Sequence, residues 1–309
     1  MSRNIFLSIV EVFVALIAYF LSGGLPSVII KTLSPEMASS PFWIIFHRSI
    51  YIPLMLLTLY LIRRLFGKWS LKDLGLTRGE GFKANLRDGL IAFSASSLVY
   101  LPFGLILMPY YAEQFSAYGE TMKNMSIPTL ILMLLASSPV LLIDSPIPEE
   151  LFFRGYYQGM LSKRFNHVVG ILASSLFFGL GHALGHPEWH PGMVAATIPL
   201  GLILAFTYYK TKSLISVITS HFLINFILAY PMVFYAAGHF SIAISAGLVI
   251  ALTSVIFLIF YKYRTRELFF DVLRSLKHAD SKSLLFISLF TALPLIFSYL
   301  AIMFRSYLS

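Results

Sequence analysis

Leu130-Ile131-Leu132-Met133-Leu134-Leu135-Ala136-Ser137-Ser138-Pro139-Val140-Leu141-Leu142-Ile143-Asp144-Ser145-Pro146-Ile147-Pro148-Glu149-Glu150-Leu151-Phe152-Phe153-Arg154-Gly155 decides how the chain is read. The apolar run over 128–145 is long enough, at about 1.5 Å per helical residue, to enter and cross a bilayer core. Proline is tolerated in a first helical turn but not in a helix interior, so Pro146 and Pro148 break the span and predict a new helix from about Pro148. Glu149 and Glu150 then fall in its first turn, where the helix dipole favours negative charge. Glu150 and Arg154 stand four residues apart, acid first, the favourable order for a same-face ion pair. Glu149 points about 100° away without an intrahelical partner. That asymmetry predicts a division of labour: Arg154 neutralises Glu150, and Glu149 is left to act as a base.

Outward from this stretch, similar runs lie near 5–22, 41–62, 89–110, 167–185, 192–209, 213–235, 240–261 and 283–304. With the first, extended to 162, they predict an all-α polytopic transmembrane helical bundle of about nine spans. Composition agrees, since the 309 residues are 58% hydrophobic and only 12% charged, with a mean hydropathy of +0.79, far from an ordinary soluble domain. The chain has no cysteine, which excludes thiol proteases, disulfides and Cys-ligated zinc.

The net charge of +9 raises the question of nucleic acid, and the position of the charges answers it. Lys and Arg crowd into alternate loops, with seven in 63–87 and six in 262–282, whereas the opposite side carries only Lys31, Lys123 and Arg305. Such sorting follows the positive-inside rule and predicts a cytoplasmic N-terminus and a C-terminus on the opposite side. No nucleic acid partner is needed; the lipid bilayer is the expected partner. Arg3 ahead of an apolar stretch imitates a secretory signal, but a chain starting at Met1 favours a retained span. Residues 267–277 read as a short amphipathic helix lying on the cytoplasmic face, and the segment from Trp69 to Leu76 as interfacial.

Ionisable side chains at bilayer depth are costly unless paired, so each is a functional candidate. Glu11 is expected to pair with the His47-Arg48 couple, and Asp144 to cap the helix restarting after the prolines. A larger group comes from three separate spans: Glu149, Glu150 and Arg154; His182, which follows Phe178 on one face; and His221 with Asn225, a four-residue step that points both at one spot. His182 alone would read as a core histidine bonded to a backbone carbonyl. Counted by helical rise from the cytoplasmic ends, Glu149, His182 and His221 lie at roughly 20, 24 and 14 Å, depths at which they can meet. A carboxylate base, a second water ligand and two donors for an oxyanion are the parts needed to add water to an amide.

At these residues the sequence resembles the CAAX prenyl endopeptidase and bacteriocin-processing (CPBP, or Abi) family of intramembrane proteases. The ordered motifs are Glu-Glu-x-x-x-Arg at 149–154, Phe-x-x-x-His at 178–182 and His-x-x-x-Asn at 221–225. The resemblance covers about 120–225 and implies a helical core around a polar, water-filled intramembrane cavity that cleaves membrane-associated peptides of prenylated CAAX or leader type. It implies that Glu149 and His182 activate the water, that His221 and Asn225 form the oxyanion hole, and that Glu150, Arg154 and Phe178 support them. The chain accordingly divides into N-terminal spans with a basic loop (1–119), a core (120–235) and C-terminal spans with the amphipathic linker (236–309).

Two alternatives stay open on the residues alone. Zinc, held by Glu149, His182 and His221 and helped by His186, Glu188 or His190, would make the chain a metalloprotease. Against it stand the lack of a His-Glu-x-x-His motif and the poor ligand quality of Asn225, so a metal-free water and no cofactor are expected. A non-catalytic membrane protein that binds a partner, confers immunity or regulates would use the same polar cluster for docking. A transporter would also exploit a broken helix, but no inverted repeat supports one.

Overall fold

The computed structural model describes residues 2–33, 43–66, 71–76, 81–114, 122–185, 191–276 and 280–308. Among them the chain is helical throughout, without a strand. In order, the helices are α1 (Ser2–Leu33), α2 (Trp43–Phe66), α3 (Phe82–Gln114), α4 (Ile127–Asp144) and α5, which joins Pro146–Glu150, a π-helical stretch Leu151–Gln158 and Gly159–Arg164. There follow α6 (His167–Gly185), α7 (Pro191–Thr211), α8 (Leu214–Ile227), α9 (Ala229–Ala236), α10 (Phe240–Phe260), α11 (Lys262–Leu276) and α12 (Ser281–Leu308). Within the described residues, each of the nine expected apolar runs is helical. By length and apolarity six qualify as spans, or up to seven if α11 and α12, bent by 110°, are counted as one. The helices at Ile5–Tyr19 and His167–His182 are apolar but shorter.

The surface explains the composition. α10 turns Phe240, Ile244, Leu248, Leu252, Ile256, Ile259 and Phe260 outward, each at least half exposed. In water such a stripe would be an aggregation hazard; against lipid tails every backbone group is already satisfied within the helix and the stripe costs nothing. The protein is an integral, multi-pass membrane protein. Inside, residues from α1, α2, α5, α6, α7, α8 and α12 share one continuous apolar core.

α6 and α7 approach closely because α6 carries glycine at the contact. A Cβ added at Gly179 would lie 2.5 Å from Ile198 Cγ1 and 2.8 Å from its Cα. Backbone cannot yield as a side-chain tip does, so Gly179→Ala is expected to destabilise the bundle by roughly 1–3 kcal/mol. A thermal unfolding midpoint in detergent that matches the native protein's would contradict this close contact.

The buried charges pair differently from the sequence expectation. Glu11, fully buried, meets Arg164 Nη2, Arg63 Nη1 at 3.6 Å and the Tyr156 hydroxyl at 3.2 Å, rather than His47 and Arg48. The reason is the α1–α2 hairpin, which sets the beginning of α1 level with the end of α2, where Arg63 sits, and far from its beginning, where His47 and Arg48 sit. Arg48 instead donates through Nε and Nη2 to Asp144 Oδ1 at 3.0 and 2.8 Å. Asp144 therefore ties α4 to α2 and does not cap α5, whose N-cap position is Ser145. The helix also restarts at Pro146, two residues earlier than the proline pattern predicts, because a proline at N1 needs no N–H partner.

Residues 267–276 of the 267–277 segment are helical as the later part of α11, and their amphipathic character is visible in packing. Val272 is buried against Ile171, Ala205 and Phe206 of α6 and α7, while Phe270 and Leu273 remain exposed. Trp69 lies outside the described residues.

Candidate active site

The first motif sits where α5 changes its hydrogen-bond pattern. Glu149 and Glu150 close a five-residue α-helical turn, and a π-helical stretch begins at Leu151. Such stretches are rare and concentrate at functional sites, since the extra residue per turn re-aims side chains. Glu150 is fully buried and pairs with Arg154 across 3.1 Å, the same-face pair expected from the spacing.

Glu150 does more than neutralise Arg154. Its Oε1 also accepts from His221 Nδ1 at 2.8 Å, joining α5 to α8. A carboxylate can only accept, so Nδ1 carries a proton and the ring of His221 is held in orientation. Nε2 is then the nitrogen that faces away from Glu150. Arg154 completes the frame: its Nη2 donates to the Gly201 carbonyl of α7 at 3.2 Å, and its guanidinium lies 4.2 Å from the Phe178 ring centroid. Gly201 permits that approach, because a Cβ there would stand 3.0 Å from Ser175 O and 3.2 Å from the Phe178 ring.

Phe178 is the hub of the three motifs. Its ring meets His182 edge-on with centroids 4.8 Å apart and His221 edge-on at 5.8 Å, with Arg154 over its face. His182 Nδ1 bonds the Phe178 carbonyl at 2.7 Å. That is the contact of an ordinary core histidine, but it has a chemical consequence: Nδ1 must donate, so Nε2 of the neutral ring carries the lone pair.

Glu149 has its own set of contacts. Ser145 Oγ donates to its Oε1 at 2.6 Å, while Oε2 is buried and makes no hydrogen bond among the described residues. Arg154, Tyr19 in α1 and Tyr51 in α2 lie in its neighbourhood. Those two tyrosines lie edge-on with centroids 6.1 Å apart, and Tyr19 packs on Phe152 at 4.4 Å. Asn225, one helical turn beyond His221, is half-buried and makes no side-chain hydrogen bond among the described residues.

The structure thus joins Glu150, Arg154, Phe178, His182 and His221 directly, with Glu149 and Asn225 on the same helices beside them. Tyr19, Tyr51 and Gly201 are additions that sequence reasoning missed. A glycine after Pro199 in an apolar span was the available signal for Gly201; nothing in the first two spans pointed to the tyrosines.

Among the described residues no three His, Asp or Glu side chains gather in a way that would hold a metal ion. His186, Glu188 and His190 lie outside the described residues.

No curated protein and no solved structure matches the chain. Residues 128–227, which contain all three motifs, match the family described as Type II CAAX prenyl endopeptidase Rce1-like, so the likeness read from those motifs is borne out and the chain carries across that segment the pattern of a CAAX-type intramembrane protease family.

Proposed function

We propose that the protein is an intramembrane endopeptidase in which Glu149 activates a water to hydrolyse a peptide bond of a membrane-associated substrate. The observation that carries this reading is the Glu149 carboxylate: one oxygen is fixed by Ser145 and the other is buried without a hydrogen bond among the described residues. A buried acceptor of this kind is costly unless something donates to it, and a water does. Glu149 takes one proton from that water, and the His182 Nε2 lone pair orients it by accepting from the other O–H. The water oxygen bonds to the carbonyl carbon, and the carbonyl π electrons move to its oxygen. His221 Nε2–H and the Asn225 amide donate to that oxyanion. The oxyanion's electron pair then re-forms the carbonyl as the carbon–nitrogen bond breaks, the proton held by Glu149 passes to the departing nitrogen, and a carboxylic acid and an amine result.

The Glu150–His221 bond supports the oxyanion role. Donation from Nε2 while Nδ1 donates to Glu150 uses both ring nitrogens of His221, one toward the carboxylate and one toward the oxyanion.

Substrates of prenylated CAAX type fit the family match, and the same chemistry serves a membrane-bound leader peptide. The test is cleavage of a farnesylated C-terminal peptide by the protein in lipid vesicles, with and without 1,10-phenanthroline. The proposed mechanism predicts equal rates. A rate abolished by the chelator and restored by added zinc would replace the glutamate-activated water with a metal-bound one.

A further inference from the structure

A second polar place lies well away from Glu149. A cavity of about 670 Å³ opens between the end of α5, the start of α6, the end of α7 and the short 3₁₀ turn Leu71–Leu74. His167, at its wall, precedes His182 by fifteen residues on α6, or roughly 22 Å of helix. In the sequence this end of α5, α6 and α7 adjoins the basic loops, the side on which anionic lipid would be met.

Its lining is cationic. Lys163 and Lys212 face it together with His167, against one carboxylate, Asp73, at the exposed rim. Lys212 has no acidic partner among the described residues; its ammonium sits 4.4 Å from the Tyr209 ring centroid, and desolvation pushes it below the usual lysine range. The backbone there is also unusual. Lys212, at φ 50°, is the sole non-glycine residue with positive φ among the described residues, and its amide closes α7 by donating to Tyr208 O at 2.8 Å. Glycine usually takes that helix-ending position, because a side chain makes the left-handed conformation costly. Here the residue that bears that cost is a lysine on the wall of the cavity.

An independent observation comes from Gln158, which is 1% exposed and lines the same cavity. Its Nε2 donates to Ala205 O at 2.8 Å, but Oε1 is buried with no partner among the described residues. Buried acceptors without a donor are few in folded proteins, and this one calls for a hydroxyl. The cations and the acceptor therefore ask for different parts of one ligand.

We propose that this cavity binds a phosphate ester carrying a free hydroxyl, with Lys163 and Lys212 on the phosphate and Gln158 Oε1 accepting from the hydroxyl. An anionic phospholipid headgroup and a small polyol phosphate share that chemistry.

The experiment uses the full chain in phosphatidylcholine nanodiscs and reads the thermal unfolding midpoint. One arm replaces part of the lipid with phosphatidylglycerol; the other adds soluble glycerol phosphate. A midpoint that rises with phosphatidylglycerol alone assigns a lipid headgroup, and one that rises with glycerol phosphate assigns a soluble ligand. Lys212→Gly removes the ammonium but suits the positive φ, so its midpoint without ligand should not fall and its response should vanish. Lys163→Gln should weaken the response, and Lys262→Ala, outside the cavity, should keep it. No response to either probe, or an undiminished response in Lys212→Gly, overturns the proposal.

Discussion

Glu149→Gln in the purified protein is expected to lower the rate of peptide cleavage on the order of 10²–10⁴-fold, the range that a positioned general base supplies. The substitution keeps the volume and the Ser145 contact at the carbonyl oxygen while removing the ability to take a proton, so the unfolding midpoint should stay near the native value. Removing the charge should not lower it, because Glu149 Oε2 makes no hydrogen bond among the described residues. Loss of activity together with loss of the fold would assign Glu149 a structural role. Full activity in a folded Glu149→Gln protein would remove it from the mechanism.

The second large effect concerns Glu150, whose role is distinct although it is the adjacent residue. Glu150 and Arg154 are both fully buried, and Glu150 also holds His221. Breaking such a pair from one side leaves an uncompensated charge, so Glu150→Leu or Arg154→Met alone is expected to cost roughly 3–5 kcal/mol. The double variant leaves no orphan charge and should recover much of that stability, since apolar replacement of a buried pair is often neutral. It should not recover cleavage, because His221 then lacks the carboxylate that holds its Nδ1 and orients the ring. Unfolding midpoints of the two single variants and the double, with cleavage rates alongside, read this pattern. A double variant that cleaves at the native rate would confine Glu150 to structural support and would detach His221 from the oxyanion role.

The contrast between these neighbours is partly legible in the amino-acid sequence. The four-residue step from Glu150 to Arg154 names that pair, because helical spacing within one element is fixed by geometry. It cannot name the bond from Glu150 to His221, which depends on how α5 and α8 pack and on the π-helical stretch after Glu150. The same limit explains Glu11. Its burial is evident from its place in an apolar run, but its partners, Arg63 and Arg164, are set by the hairpin between α1 and α2 and by the end of α5. Pairing between spans cannot be read from depth alone when several arginines lie near one membrane face. The apolar runs are legible because a bilayer imposes length and composition on each span. Length and bends are not legible in the same way: His167–His182 is short, and α11 and α12 meet at a sharp bend.

Gly201 shows what pattern reading overlooks. Its contribution is a carbonyl, offered to Arg154 only because no side chain keeps α7 away. Backbone groups carry no residue signature, so a glycine in a span is a weak signal unless the facing helix is known. Tyr19 and Tyr51 are similar: aromatic residues are common in membrane helices, and only the folded arrangement brings them into the neighbourhood of Glu149.

The central claim, that Glu149 drives proteolysis inside the membrane, is tested most directly by the termini of membrane peptides. Mass spectrometry would compare cells carrying the native protein with cells carrying Glu149→Ala at matched protein levels. The account predicts a set of new termini that appears only with the native protein, and the residues flanking them would define the substrate class. Identical termini in the two, with the native phenotype retained by the variant, would contradict it.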